Sequence, residues 1–211
     1  MINRIWLAAS GLCRRWLHDE RGVAAIETAL IAPVAVGLLG LLAIWAEAIA
    51  IQRKVTLTAR TITDLVSQQG TLVSGQTGSV NQSAVDNLLN NAANILYPYV
   101  QPTSGTNPVT GTNVSNMTMV VSEINVDSGG TTATVQWSEP MPSHGTALPS
   151  TAHAVSLPSS VAAAGSNLIM GTVTYTYTPP VIGEAAGTIT LHQTIYLTPR
   201  QWTTLNLVTG S

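Results

Sequence analysis

The chain has 211 residues, of which 45% are hydrophobic and only 9% are charged, far below the roughly 25% charged residues of an ordinary soluble domain. This length allows one domain of about 100–150 residues together with an additional segment. The net charge of −2 offers no clustered basic surface, which argues against nucleic acid as a partner.

Basic residues are concentrated at the N-terminal end, where seven of the eight Lys and Arg residues lie within the first 60 positions. Only Arg200 lies beyond them, in a portion rich in Thr and Ser that contains no lysine. Cys13 is the only cysteine, so an intrachain disulfide and Cys-based metal or redox chemistry are excluded.

The first predicted element is a transmembrane helix over residues 23–51. Residues 28–46 are 19 consecutive uncharged and mostly apolar residues, long enough to cross a hydrocarbon core of about 30 Å. Trp45 lies near one end of this run, where an indole favours the headgroup boundary, and membrane helices tolerate the bend that Pro33 introduces. The alternative is a buried core helix, for which the Thr-rich remainder offers no long apolar partner.

The basic residues on the two sides of this helix are nearly equal in number, so charge counting alone favours neither orientation strongly. Three basic residues precede the apolar run closely and three follow it, and Arg4 adds one more on the N-terminal side. Together with the hydroxyl-rich composition of residues 52–211, this favours a cytoplasmic N-terminus and an extracytoplasmic C-terminal domain.

Glu27 is the notable polar residue at the start of the predicted span. An ionised side chain at the centre of a membrane costs about 2.5–3.5 kcal/mol on insertion scales, and less near an end. Such a group either has a partner inside the membrane or extends its carboxylate to the headgroups, and both interpretations remain open on the residue alone.

The string RGVAAIETALIAPVAVGLLGLLAIWAEAIAIQRKVTLTAR, which starts at Arg21, resembles the entry of the TadE-like pseudopilins of the tight-adherence (Flp) pilus system. Thr28 stands where that family usually has an aromatic residue. The positions that match in order are Gly22, Glu27, Ala29, Leu30, Ala32 and Pro33.

The resemblance implies a leader peptide, residues 1–22, that a prepilin peptidase removes on the cytoplasmic side by cutting an extended bond between Gly22 and Val23. It also implies a single-pass inner-membrane protein of a type II secretion-related system that serves cell adhesion. Its partners would be the prepilin peptidase, membrane lipid, other pilins or pseudopilins and the pilus secretion machinery. Glu27 would then act as an intramembrane assembly charge, paired with the Val23 amine of a neighbouring subunit.

Beyond the span, residues 52–69 predict several further helical turns, ended by Gly70, with Val55, Ile62, Leu65 and Val66 near one face. Residues 71–80 read as a loop. Residues 83–98 predict an amphipathic helix with Ser83 as its N-cap and Pro98 beyond its end. Residues 101–116 read as a second loop.

Four strands are predicted in the remainder. MTMVVSEINV and TTATVQW flank Asp-Ser-Gly-Gly and predict a β-hairpin, whereas the Pro-rich residues 138–167 predict a loop. The stretches 169–178 and 189–198 alternate apolar residues with Thr. The expected fold is therefore α+β: a long N-terminal helix followed by a four-stranded antiparallel sheet packed with helices, similar in outline to pilin heads.

Catalytic motifs are scarce, so the chain is not expected to be an enzyme or to hold a metal or cofactor. His144 and His153, with Glu139 nearby, read as solvated loop residues, and His192 as an exposed residue on the Thr face. Two alternatives to a pseudopilin remain: an unprocessed, signal-anchored envelope domain that binds a partner, and an anchored hydrolase built on Ser or His residues.

Overall fold

The computed structural model describes residues 20–74, 77–100, 116–141, 154–179 and 187–209. The chain divides into two units, Met1–Glu47 and Ala48–Ser211, which are called the N-terminal and C-terminal units below. The fold is α+β, with one long N-terminal helix and an antiparallel sheet.

The first helix, α1, spans Glu20–Gln68 and contains 49 residues. At 1.5 Å per residue it is about 73 Å long, more than twice the thickness of a hydrocarbon core. Gly70 follows with φ of 126°, a conformation that favours glycine, and ends the helix as predicted. The expectation that the apolar helix continues well beyond the length of a membrane span is therefore confirmed.

The main sheet has five strands rather than the four that were predicted, in the order β5-β4-β3-β6-β7. The additional strand, β5, has two residues and pairs with the start of β4. It lies in the Pro-rich stretch predicted as a loop, where two residues carry no detectable periodicity. The strands are β3 (Met117–Val126), β4 (Ala133–Pro140), β5 (Ala154–Val155), β6 (Asn167–Tyr177) and β7 (Ile189–Leu197).

A second sheet of three strands was not predicted. It consists of β1 (Thr71–Ser74), β2 (Thr77–Asn81) and β8 (Thr204–Val208), and β2 lies between the other two. The prediction of a loop over residues 71–80 is therefore wrong. Strand β8 pairs in parallel with β2, a contact between residues more than 120 positions apart that local composition does not encode.

The second helix, α2, spans Gln82–Ala92 and passes into a 3₁₀ turn, Ala93–Leu96. Its N-cap is Asn81 rather than the predicted Ser83. Asn81 is extended and its Oδ1 accepts a hydrogen bond from the backbone N–H of Ser83 at 3.0 Å, which satisfies one free donor of the first turn. Val85, Leu89, Ala92 and Leu96 are buried along the predicted apolar face.

The C-terminal half of α1 buries one face in the core of the C-terminal unit. Leu65, predicted on this face, is instead exposed. Buried hydroxyls bond within the helix: Thr58 Oγ1 donates to the carbonyl of Lys54 at 2.9 Å, and Thr63 Oγ1 to that of Ala59 at 2.6 Å. The fully buried residues are Ile51, Val55, Thr58, Ala59, Ile62, Thr63, Val66 and Ser67.

Strand β6 approaches this helix most closely at Gly171. A Cβ atom at this position would lie 2.0 Å from Thr63 Oγ1, 3.2 Å from Thr63 Cβ and 3.4 Å from the Ala59 carbonyl oxygen. Two of the three atoms belong to a β-branched, hydrogen-bonded side chain and the third to the backbone. Only glycine fits without moving the helix away from the sheet.

We therefore predict that Gly171→Ala lowers the free energy of unfolding by about 1–3 kcal/mol, the usual cost of overpacking a core. Urea unfolding of the full chain in detergent, followed by tryptophan fluorescence, measures this difference. The matched control is Gly129→Ala, where the new Cβ meets its nearest neighbour at an ordinary 3.5 Å. Thr63→Ala combined with Gly171→Ala should recover part of the loss, and strictly additive effects would contradict a direct clash.

Candidate functional site

The N-terminal unit contains a stretch of helix whose side chains are all exposed. Every residue from Gly22 to Ala43 is exposed. Ile26 and Leu30 in this stretch, and Trp45 just beyond it, are each more than 70% exposed. The most apolar 18-residue window of this helix has a mean hydropathy of 2.3. Among the described residues it is the one helix long and apolar enough to be a candidate membrane span.

A helix that is apolar on every side has no face suited to water. A soluble monomer rarely carries a contiguous apolar patch larger than a few hundred Å², so this exposed helix surface is a candidate for contact with lipid or with other helices.

Gly22 and Val23, the predicted cleavage pair, lie in the first turn of α1 and not in an extended segment. A Cβ at Gly22 would meet no atom within 4 Å, so packing does not demand a glycine there. Glycine in a helix costs about 1 kcal/mol relative to alanine. Among the described residues, packing therefore gives no reason for a glycine at position 22.

Glu27 lies on the exposed helix surface, four residues after Val23. Among the described residues it makes no ion pair. Its neighbour Thr28 satisfies its own hydroxyl, because Oγ1 donates to the Ala24 carbonyl at 2.7 Å. Thr28 therefore presents mainly its methyl group, and the carboxylate of Glu27 is the chemically distinctive group of this turn.

The C-terminal unit contains a buried carboxylate that was not predicted. Glu123 on β3 is 1% exposed. Its Oε2 accepts a hydrogen bond from Trp137 Nε1 on β4 and its Oε1 accepts one from the backbone N–H of Leu205 on β8, both at 2.8 Å. Trp137 Nε1 also donates to the Leu205 carbonyl. The Glu123 carboxylate thus connects the two sheets.

Burial raises the pKa of Glu123 from 4.5 to about 7, although the hydrogen bonds from Leu205 and Trp137 act in the opposite direction. The sequence carried a signal for this residue. Glu123 is in phase with the buried residues Met117, Met119 and Val121, which favours a core position, although Ser122, Ile124 and Val126 of the other phase are buried as well.

Glu139 on β4 makes a hydrogen bond to the first residue of α2. Its Oε1 accepts a hydrogen bond from Gln82 Nε2 at 3.0 Å. Desolvation raises the pKa of Glu139 and also that of the nearby Asp86. His144 and His153 lie outside the described residues, and the described residues contain no group of three or more His, Cys, Asp or Glu side chains able to hold a metal ion.

Two other polar residues make contacts within the C-terminal unit. Lys54 donates from Nζ to the Tyr97 carbonyl at 2.6 Å and stands 5.1 Å from the centroid of the Tyr99 ring. His192 on β7 is exposed, as predicted, and its ring nitrogens lie 3.0 Å from Thr174 Oγ1 and 3.1 Å from Thr194 Oγ1.

Comparison with known protein families, with curated proteins and with solved structures gave no match to this chain. The candidate site therefore rests on its own chemistry: an apolar helix surface with Gly22, Val23 and Glu27 at its N-terminal end.

The Glu123 carboxyl predicts a pH-dependent stability of the C-terminal unit. Its pKa is higher in the folded than in the unfolded chain, so the folded state binds the proton more tightly between pH 4.5 and about 7. Stability then falls as the pH rises through this window, by about 3 kcal/mol. Chemical unfolding at pH 5 and pH 8 measures the fall.

The control is Glu123→Gln, which removes the titrating group. Its amide NH2 replaces one of the two accepting oxygens and faces an N–H donor, so the variant should be less stable than wild type at pH 5 and should change less in stability between pH 5 and pH 8. Asp86 and Glu139, whose pKa values are also raised, act equally in both proteins. An equal pH dependence in the two proteins would show that Glu123 does not titrate in this range.

Proposed function

We propose that this protein is a TadE-like pseudopilin, a minor pilus-assembly component of a tight-adherence (Flp) pilus system. The observation that carries the proposal is the exposed apolar helix with a glycine that packing does not require, followed five positions later by one exposed carboxylate. In this function the protein acts by packing its helix and its C-terminal unit against other subunits, without a chemical reaction of its own.

The proposed function accounts for both Gly22 and Glu27. Removal of the leader after Gly22 creates a free ammonium on Val23 at the start of an apolar helix. Burying this charge or the Glu27 carboxylate alone in an apolar interface costs several kcal/mol. A Val23 amine that pairs with Glu27 of a neighbouring subunit offsets both costs through a charge-assisted hydrogen bond. Two neighbouring helices are then in the correct axial register when the amine of one meets the carboxylate of the other.

In the proposed arrangement the helix resides in the bacterial inner membrane, with the N-terminus cytoplasmic and the C-terminal unit periplasmic or in the pilus. The length of α1 suits this placement, since about 20 residues suffice to cross the membrane and the rest is available for the C-terminal unit. The first turn of α1 must open for cleavage.

We predict that the mature protein begins at Val23 and that Gly22→Leu blocks processing, because a branched side chain hinders access of the peptidase to the following bond. N-terminal sequencing of protein extracted from membranes of the native host identifies the start. Gly37→Leu is the matched control, since a Cβ at Gly37 also meets no atom within 4 Å. Wild-type protein starting at Met1 in cells with an active peptidase would favour an unprocessed, signal-anchored domain.

We further predict that Glu27→Ala leaves the protein in the inner membrane but weakens its association with partner pilins. Removing a carboxylate makes insertion of an apolar helix easier, whereas the Val23 amine loses its counter-charge. Membrane fractionation and crosslinking to other pilus components measure the two effects. Thr28→Ala, which removes the adjacent hydroxyl, is the control and should associate normally. Normal association of Glu27→Ala would indicate that Glu27 only reaches the headgroups.

A further inference from the structure

We propose that the outer edge of β7 and the adjoining face of α1 form a docking groove for an extended, acidic segment of a partner protein. The groove belongs entirely to the C-terminal unit. The proposal therefore does not depend on processing at Gly22 or on pairing of Glu27.

The first observation is the edge itself. β7 is the last strand of the five-stranded sheet and pairs with β6 along its whole length, from Ile189 opposite Tyr177 to Leu197 opposite Ile169. Among the described residues no strand pairs with its other side. A nine-residue edge leaves a row of N–H and C=O groups that another strand satisfies.

Proteins usually protect such an edge with prolines, charges, bulges or a very short strand. The opposite edge of this sheet follows the rule, because β5 has only two residues. Strand β7, with the sequence ITLHQTIYL, contains no proline, Lys, Arg, Asp or Glu, and its pairing with β6 is regular throughout. The edge is long and regularly paired, and it carries none of these protective features, which suits strand addition.

The second observation is a concavity of about 520 Å³ beside this edge. It is lined by Arg60, Thr61 and Asp64 of α1, by Ile195 and Leu197 of β7, and by Arg200. Ile195 and Leu197 are only half-buried, since α1 covers the centre of the sheet more fully than its margin. The concavity therefore offers a partly apolar floor next to unpaired backbone groups, the combination by which grooves bind extended peptides.

Charge defines the chemistry of the occupant. Arg200 Nη2 and Asp64 Oδ1 form an ion pair at 2.5 Å, in which the Arg200 side chain remains 60% exposed. Arg60 is exposed and makes no ion pair among the described residues. Two guanidinium groups face one carboxylate, so the groove carries an excess of one positive charge. A guanidinium binds a carboxylate through two parallel hydrogen bonds, which favours an Asp or Glu side chain of the partner.

A second copy of this chain fits the groove less well. Self-pairing through β7 brings no acidic residue opposite Arg60, since β7 has none. The acidic residues of the other described strands, Glu123 and Glu139, are buried in the core. We therefore assign the groove to a different protein whose strand has apolar residues on alternate positions.

The direction of the partner strand follows from the position of the arginines. Antiparallel pairing is the more stable arrangement, and its first residues lie opposite the C-terminal end of the edge strand. Ile195 and Leu197, at this end of β7, line the concavity together with Arg60 and Arg200. The acidic residues of the partner segment therefore come first, followed by its alternating apolar residues.

The test uses the full chain in a non-ionic detergent and a fluorescent synthetic peptide of two glutamates followed by three Val-Thr repeats. Fluorescence polarisation measures binding, and hydrogen exchange measures protection of the β7 amides. We expect saturable binding, protection of alternate β7 amides only when the peptide is present, and weaker binding of a peptide in which lysines replace the glutamates.

Two comparisons separate strand addition from simple charge attraction. Arg60→Glu should weaken binding of the acidic peptide about three- to five-fold, the size expected for an exposed ion pair, whereas Arg53→Glu on the same helix should change it little. N-methylation of every second peptide amide should abolish binding in one of the two possible phases and preserve it in the other, because a paired strand directs alternate N–H groups toward its neighbour. The peptides leave the protein unaltered, so this comparison does not depend on folding of a variant.

Three results would overturn the proposal. The first is protection of all β7 amides in the absence of peptide, which would mean that another part of this chain or a second copy already covers the edge. The second is equal weakening by Arg60→Glu and Arg53→Glu. The third is binding that is insensitive to the phase of N-methylation.

Discussion

The close approach of α1 to β6 at Gly171 is the contact on which the C-terminal unit depends. Because no side chain separates them, Ala59 and Thr63 lie directly against the strand, and the helix cannot rotate about its axis without driving Thr63 into the backbone. The rotation of the helix determines which residues face outward. Residues in phase with the contact are buried, and Leu57, Arg60 and Leu65, out of phase, remain exposed. The same rotation leaves Arg60, Thr61 and Asp64 on the side of the helix that lines the concavity beside β7.

A second constraint joins the two sheets through polar groups in the core. Glu123 and Trp137 hold the Leu205 backbone of β8, although burial of the carboxylate costs free energy. Apolar residues of similar volume would fill the same space, but they would fix neither the direction nor the register of β8. A buried hydrogen-bonded group accepts one arrangement of its neighbours and penalises the others. Trp202 adds a steric condition, because Cβ atoms at Gly70 or Gly78 would lie 2.6 Å and 2.4 Å from its ring.

The elements with strong periodicity were predictable and those defined by distant contacts were not. Helix α1, the hairpin of β3 and β4, and the strands β6 and β7 follow directly from their apolar spacing. Strands β1, β2 and β8 are short and need one another, so no local pattern marks them. The role of Gly22 is implied by the resemblance of its segment to the TadE-like entry, and Glu27 is marked by its charge at the start of the apolar run; both roles remain predictions. Glu123 was detectable from its phase in β3, whereas the approach of Arg200 to Asp64, 136 positions earlier, was not.

The scarcity of charge connects these observations. On the outer face of the sheet hydroxyl groups replace charges, since Thr172 and Thr194 lie opposite each other with their oxygens 3.3 Å apart. Thr side chains favour strands and bond to one another across them, so this face tolerates water without Lys or Glu. Where hydroxyls provide solubility, a charged side chain is retained for a specific contact. Lys54 and Glu123 make such contacts inside the C-terminal unit. In the proposed function, the carboxylate of Glu27, on the otherwise uncharged helix surface of residues 22–46, would serve such a contact with another subunit.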